Sequence, residues 1–221
     1  GWHFIKGGWK MYKATLTLGI APVKRSFLSM EEARRQKDRF MAVLRAARPE
    51  GVTYVDIDDL CENGIAFKMD AVPAIVNKFA AARVDALFIP FCDFGEEQVA
   101  AGIARAFSLP TLVWGARDER PNTDQQRGRD TQCGMFAATK VLRRFGVTYS
   151  YIYNCETESP AFKEGFGRFL RVAAVVREVR GLRIAKIGAR PEPFMSVAAN
   201  EAELMRRFGM VIVPVSPAAI A

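Results

Sequence analysis

Residues 85–114 read DALFIPFCDFGEEQVAAGIARAFSLPTLVW, an apolar run, a turn, a helical pattern and a second apolar run. Asp85–Pro90 predicts a buried strand, Glu96–Phe107 predicts a helix, and Thr111–Trp114 predicts the next strand. Strand–helix–strand units of this kind form parallel sheets whose faces are covered by helices. The stretch therefore predicts an α/β fold.

The same alternation continues on both sides of this stretch. Ser29 and Glu32 have the spacing of a capping box, which predicts the start of a helix that runs to about Ala47. The other predicted elements are the strands Ala14–Ile20, Val52–Ile57 and Thr148–Tyr153 and the helices Ala71–Ala82, Thr131–Phe145 and Pro160–Arg177. The series predicts a Rossmann-like, mainly parallel sheet with helices on both faces.

A second α/β pattern begins near Gly181. It contains a strand at Leu182–Ile187, a helix at about Ala199–Phe208 and a strand at Met210–Val215. We divide the chain into a tail (1–13), an N-terminal α/β domain (14–180) and the beginning of a second α/β domain (181–221). Two strands cannot bury both faces of a sheet. We therefore expect the chain to be the front part of a longer protein, or to depend on partner chains.

Composition excludes several classes of function. The net charge is +8, but carboxylates are interleaved with the 32 Lys and Arg residues, so we expect a solvated surface and no nucleic-acid partner. No apolar run approaches the roughly 20 residues that a membrane span needs. The four cysteines form no CxxC motif and indicate reduced thiols in a cytoplasmic protein. The one histidine, His3, lies in the tail, which argues against a His-dependent metal site or a Ser-His-Asp triad.

A long, charged loop follows the strand Thr111–Trp114. Ligands in open α/β sheets bind beyond the carboxyl ends of the strands, where this loop should lie. Asp130 or Thr131 could cap the helix that follows, with Gln132 and Cys133 in its first turn. The alternative is a solvated loop whose ions pair with each other. Its charged residues are Arg117, Asp118, Glu119, Arg120, Asp124, Arg127 and Arg129.

Two shorter loops follow other strands of the predicted sheet. In Cys92-Asp93-Phe94-Gly95, the glycine permits a tight turn, and the helix after it offers free backbone N–H groups for a ligand. Alternatively, the acidic residues after this turn merely complement the helix dipole. Arg25, after the first strand, could hold a sugar hydroxyl or be solvated.

Three features are expected to be structural. Phe162, Phe166 and Phe169 recur at helical spacing, which predicts core positions. Asn200 is expected to cap a helix. Cys92 and Cys133 lie near predicted helix N-termini, but without a histidine partner neither is expected to be a nucleophile.

The ordered motifs of the chain resemble the L-fucose/L-arabinose isomerase family, and in particular its shorter, fucose-isomerase-like members. The similarity runs from about Leu18 to Val215. The segments that carry it are GIAPVKRSF, VDALFIPFCDFGEE, PTLVWGARDERP, RDTQCGMFAATKVLRRFGV, YSYIYNC and RIAKIGARPEPFMSVAANEAELMRRFGM.

The resemblance implies an aldose–ketose isomerase. In that family a divalent manganese ion, Mn²⁺, binds the carbonyl and adjacent hydroxyl oxygens of the sugar, and acidic residues move a proton between C1 and C2. The ligands of the metal come from domains that would lie beyond Ala221. The present chain is then expected to contain no catalytic or metal-binding residue, and to be inactive alone.

The resemblance also implies that the N-terminal domain recognises the substrate. It lines the pocket of a monosaccharide, often shared between the subunits of a homo-oligomer. The larger fucose isomerases carry tryptophan where this chain has Cys92, which points away from fucose itself. The positions that match the pocket wall are Arg25, Cys92, Asp93, Phe94, Asp118, Arg129 and Gln132.

Two other functions stay open at this point. The chain could be a stand-alone Rossmann-like module that binds a sugar or a small anion without catalysis. A nucleic-acid binder is suggested by the net charge alone.

Overall fold

Both apolar runs of residues 85–114 form strands, and the two strands are neighbours in one sheet. The computed structural model describes residues 15–47, 49–121 and 128–220. The predictions for the tail 1–13, His3, Asp124 and Arg127 lie outside the described residues. The elements that precede the second pattern are β1 (Leu16–Ile20), α1 (Met30–Ala47), β2 (Val52–Val55), α2 (Val72–Ala81), β3 (Ala86–Phe91), α3 (Glu97–Arg105), β4 (Thr111–Gly115), α4 (Thr131–Arg144), β5 (Ser150–Tyr151) and α5 (Pro160–Val179).

The five strands form a parallel sheet in the order β2-β1-β3-β4-β5. This is the order of flavodoxin-like folds. From β1 the chain moves first to one side, to β2, and later to the other side, to β3 and beyond. The predicted mainly parallel α/β fold is confirmed, and its topological switch point lies between β1 and β3.

Helices cover both faces of the sheet. On one face, apolar side chains of α2, α3 and α4 pack with Leu87, Ile89 and Val113. On the other face, an aromatic cluster joins α1 and the first half of α5 to the sheet. Its centre is Trp114, whose ring lies 4.4 Å from that of Phe162 and 6.1 Å from that of Phe40. Phe162, Phe166 and Phe169 are buried, as predicted.

Two predicted strands are shorter in the structure because both lie at the edges of the sheet. Thr148–Tyr153 was predicted as a strand, but β5 comprises only Ser150–Tyr151. Tyr151 at its end is exposed, and of the two residues that follow, Ile152 is buried and Tyr153 is exposed. β2 ends at Val55, since the Asp56 carboxylate then accepts the Asp58 N–H at 3.3 Å and begins a turn.

The helix starts follow the predicted signals in two cases. Glu32 N–H donates to Ser29 Oγ at 3.2 Å at the start of α1, which confirms the capping bond. Glu203 N–H donates to Asn200 Oδ1 at 3.0 Å, which confirms the predicted cap of the last long helix.

The chain divides into two compact units, residues 1–170 and 171–221, with the division inside α5. The second unit contains β6 (Arg183–Ile187), α6 (Glu201–Phe208) and β7 (Val211–Val215), and its two strands are parallel. None of the helices in the described residues is both long and apolar enough to cross a membrane.

Candidate functional site

Three loops leave the carboxyl ends of β1, β3 and β4 on the same edge of the sheet. After β1, Val23 forms bridges to both Ala66 and Phe91, so the chain stays between its neighbours for three more residues. It then leaves the sheet at Lys24 and Arg25. Crevices at a switch point are where open α/β sheets bind ligands. The site is therefore built around the meeting of the β1 loop with the β3 loop.

Arg25 is fixed by contacts with the β3 loop. Its N–H donates to Asp93 Oδ1 at 2.7 Å, and its guanidinium donates to Glu96 Oε2 at 2.9 Å. The guanidinium carbon lies 4.4 Å from the centre of the Phe94 ring, a cation–π contact. Glu96 also accepts the Ser26 N–H at 3.0 Å. Arg25 is thus a half-buried, preorganised cation, and Glu96 does more than complement the dipole of α3.

Asp93 is buried at the base of this arrangement. Its Oδ1 accepts the N–H groups of Arg25 and Gly95, the latter at 2.9 Å. Its Oδ2 is buried and has no hydrogen-bond partner among the described residues. Burial raises the pKa of Asp93, and the two backbone N–H groups and the nearby charges of Lys24 and Arg25 oppose that rise only in part.

The turn after β3 depends on glycine, as predicted. Gly95 has φ of 73°, and a Cβ there would lie 2.3 Å from a carbon of the Phe91 ring. A second glycine brings α4 against the same loop. A Cβ on Gly134 would lie 1.7 Å from the Phe94 carbonyl oxygen, so only glycine permits this approach.

Asp118 caps α4 from the loop after β4. Its carboxylate accepts the Thr131 N–H at 2.7 Å and the Gln132 N–H at 3.1 Å, and it contacts the Thr131 hydroxyl. The prediction that Asp130 or Thr131 supplies this cap is wrong. Asp130 stands at the N-cap position, but its backbone is left-handed (φ 50°) instead of extended, and its side chain makes no capping bond.

Arg129 is buried in the same loop. It donates to Glu119 Oε2 at 2.7 Å and to the Arg117 carbonyl at 2.6 Å, and it lies 3.7 Å from Glu32 of α1. Its Nη1 has no partner among the described residues. Burial opposes ionisation of Glu119, but hydrogen bonds from its own N–H and from Arg129 outweigh it and lower the pKa of Glu119.

The other two predicted site residues differ in exposure. The Cys92 thiol is buried, and burial followed by the charge of Asp93 raises its pKa. Gln132 is exposed and lines a groove of about 340 Å³ between α4 and β5. The remaining lining residues are Met135, Phe136, Thr139, Tyr149, Tyr151, Tyr153 and Asn154. The assignment of all seven predicted residues to a sugar pocket stays a prediction.

The geometry is that of a polar surface at one edge of the sheet. It offers fixed cations, carboxylates and a capped helix end. In the part of the chain that the structure describes, no three His, Cys, Asp or Glu side chains come together as a possible metal site. The residues present there do not fit Mn²⁺.

Sequence reasoning missed Lys24. Its position after a strand and beside Arg25 favours a solvated loop residue, yet its side chain is only 1% exposed, and the centre of the Phe67 ring lies 5.1 Å from its ammonium nitrogen. A signal for this burial existed, because β1 was predicted inside a parallel sheet, and such strands are covered on both faces.

Comparison with known proteins gives one family. The model of the fucose/sulfoquinovose isomerase N-terminal domain matches residues 19–180. The sulfoquinovose isomerase of Clostridium sp. (strain MSTE9) is 28% identical over 128 residues, which cover 57% of this chain and 28% of that protein. The sulfoquinovose isomerase of Alkalicoccus urumqiensis is 26% identical over 131 residues, which cover 59% and 29%.

A third sulfoquinovose isomerase, from Priestia aryabhattai, is 22% identical over 148 residues, which cover 67% of this chain and 32% of that protein. The chain thus spans less than a third of the length of these curated relatives. The predicted resemblance to the fucose-isomerase-like family is confirmed. Because the family model covers well over half of its residues, the chain belongs to the fucose/sulfoquinovose isomerase family, as its N-terminal domain.

Proposed function

We propose that this chain forms one wall of the sugar pocket of an aldose–ketose isomerase. The observation that supports this most directly is the placement of Arg25. It stands at the switch point of the sheet, held by Asp93, Glu96 and Phe94 of the neighbouring loop. Family membership supplies the reaction class, since the curated relatives are sulfoquinovose isomerases.

The role of this wall is to bind and orient the sugar. Among the described residues, Glu96 is the hydrogen-bond acceptor of the Arg25 guanidinium, which leaves further N–H groups for sugar oxygens. The Phe94 ring covers one face of the guanidinium and restricts its rotation. A donor fixed in this way loses little entropy when the ligand binds.

The metal and the proton transfer belong to the rest of the proposed enzyme. A bound Mn²⁺ ion would polarise the carbonyl and the adjacent hydroxyl of the sugar. We propose that residues outside the described part of this chain hold it. We also propose that the pocket is shared between subunits of a cytoplasmic homo-oligomer, and that this chain has no isomerase activity alone.

The test compares the full-length protein with the 221-residue chain. Both are assayed for ketose formation from a panel of aldoses, sulfoquinovose and fucose included, with and without Mn²⁺. We expect turnover by the full-length protein only, and we expect Arg25→Ala to raise KM. Turnover by the 221-residue chain would contradict the proposal. Saturable sugar binding by a full-length protein without turnover would instead support the stand-alone binding module.

A further inference from the structure

Lys24 is a buried lysine next to the arginine of the proposed site. Its side chain is 1% exposed, and its Nζ donates to the Arg25 carbonyl at 2.6 Å and reaches the Ser26 carbonyl at 3.4 Å. No carboxylate of the described residues lies within ion-pair distance of it. The ring of Phe67 is its other close neighbour, 5.1 Å from Nζ to the ring centre.

Burial of an ammonium group without a carboxylate is costly, and an apolar side chain of similar length would avoid that cost. Stability alone therefore does not explain why lysine occupies this position. Its hydrogen bonds go to two consecutive carbonyls of the β1 loop. The buried ammonium group instead holds the backbone at Arg25 and Ser26 in one conformation.

The neighbouring loop holds the same peptide from the other side. Asp93 accepts the Arg25 N–H at 2.7 Å, while Lys24 donates to the Arg25 carbonyl. The N–H of Arg25 is thus bound by the buried Asp93 side chain, and its carbonyl is bound by the buried Lys24 side chain. With these two bonds in place, the Arg25 side chain starts from one fixed point and reaches Glu96 and Phe94.

Backbone pairing between the end of β1 and Ala66 fixes the position of Lys24 near these carbonyls. Its own N–H donates to the Ala66 carbonyl at 3.2 Å, and the Ala66 N–H donates to the Pro22 carbonyl at 2.8 Å. The segment at Ala66 and Phe67 therefore pairs with the end of β1 and places an aromatic ring over the ammonium group. A ring in this position reduces the cost of burying the cation.

We propose that Lys24 and Asp93 are positioning residues that clamp the Arg25 peptide and thereby set the sugar-binding geometry of Arg25. The inference rests on the proposed function, because it takes the role of Arg25 in sugar binding from it. Lys24 acts through Arg25 and does not itself touch the sugar.

The chain offers a matched control in Lys37. This lysine is also buried and also donates to a backbone carbonyl, that of Asn63 at 2.6 Å, but it pairs with Asp58 and makes no contact with Arg25. Lys24→Met and Lys37→Met each remove one buried ammonium group. Only the first releases the Arg25 carbonyl.

The experiment measures kcat, KM and the unfolding midpoint in the full-length protein, with the aldose that it turns over. We expect Lys24→Met to raise KM about tenfold or more with kcat nearly unchanged, since small misplacements of a binding group cost about that much. Lys37→Met should leave KM within about twofold of the parent. Equal KM values for the two variants would overturn the claim that the clamp sets the sugar-binding geometry of Arg25.

A double-mutant cycle with Arg25→Ala separates positioning from direct contact. If Lys24 acts through Arg25, Lys24→Met raises KM no further in the Arg25→Ala background. Multiplicative effects of the two substitutions would refute action through Arg25.

Asp93 provides a second route if Lys24→Met does not fold. Asn at this position keeps an oxygen that accepts the two N–H groups, whereas Ala does not. Asp93→Ala should therefore raise KM about tenfold, and Asp93→Asn should not. An equal increase in KM in both variants would refute the clamp.

Hydrogen exchange distinguishes failure of this inference from failure of the proposed function. We expect the amides around Ser26 to exchange faster in Lys24→Met than in Lys37→Met, whatever the protein binds. Faster exchange with unchanged kinetics would keep the clamp but remove Arg25 from the sugar site. Unchanged exchange would overturn the clamp itself.

Discussion

Gly134→Ala is the substitution for which the structure gives the clearest expectation. Gly134 is the fourth residue of α4, and a Cβ at this position would stand 1.7 Å from the carbonyl oxygen of Phe94. The contact is with the backbone, so no side-chain rotation can relieve it. The β3 loop and α4 would have to separate by more than an ångström.

Two opposing effects set the magnitude. Overpacking in a well-packed interior costs about 1–3 kcal/mol, and a clash with backbone falls at the upper end. Alanine is more favourable than glycine in a helix by about 1 kcal/mol. We therefore expect Gly134→Ala to reduce the free energy of unfolding by about 2 kcal/mol. For a domain of this size, that corresponds to a Tm lower by about 4–8 °C.

The assay is urea unfolding of the protein followed by far-UV circular dichroism, with Gly102→Ala as the matched control. Gly102 lies inside α3, but a Cβ there would meet the Met69 methyl group and a Val72 methyl group, each at 3.4 Å, which are ordinary side-chain contacts. Gly102→Ala should be neutral or stabilising by up to about 1 kcal/mol. If the two variants unfold at the same urea concentration, the inferred approach of α4 to the Phe94 loop is wrong.

Three further outcomes are expected. Asp118→Ala removes the cap of α4 and should lower the free energy of unfolding by about 1–2 kcal/mol in urea titrations. The raised pKa of Asp93 means that its contribution to stability is complete below the ordinary value of 3.8 and is lost as pH rises through the raised pKa. The urea midpoint of Asp93→Asn should therefore rise relative to that of the parent as pH increases from below 3.8. Phe136→Ser and Tyr151→Ser, each at a side chain 67% exposed, should change stability by less than about 1 kcal/mol and reduce self-association in sedimentation experiments.

Each of these has a result that would count against it. A parent-like midpoint for Asp118→Ala would mean that another group caps α4. A stability difference between parent and Asp93→Asn that stays constant with pH would mean that Asp93 ionises as it does in water. A loss of several kcal/mol in Phe136→Ser would place that ring in the core.

The order of elements was predictable because its signals are local. Apolar runs such as Ala86–Phe91 and helical spacing such as that of Phe162 and Phe166 need only neighbouring residues to be read. The length of β5 was not predictable in the same way. Tyr151 and Tyr153 have high strand propensity, but at the edge of the sheet they face solvent and only a short pairing forms.

The meeting of the loops after β1, β3 and β4 at the candidate site was predictable, but their contacts were not. General rules for parallel sheets place these loops at one edge and make them candidates for ligand binding. That Asp118 caps a helix beginning 13 residues later is a contact between residues distant in sequence, which no local pattern reveals. Likewise, the contacts that bury Lys24 were not predictable, because they depend on the pairing of Ala66 with Pro22, which places the Phe67 ring over its ammonium group.

The burial of Cys92 and Cys155 has a practical consequence for chemical labelling. These two thiols are shielded from reagents, Cys61 is partly shielded with its pKa raised by burial, and Cys133 is exposed. A maleimide dye at limiting concentration should therefore attach mainly to Cys133, beside Gln132 at the start of α4. Fluorescence from that position would then report on ligand binding at the proposed site without altering any of its charged residues.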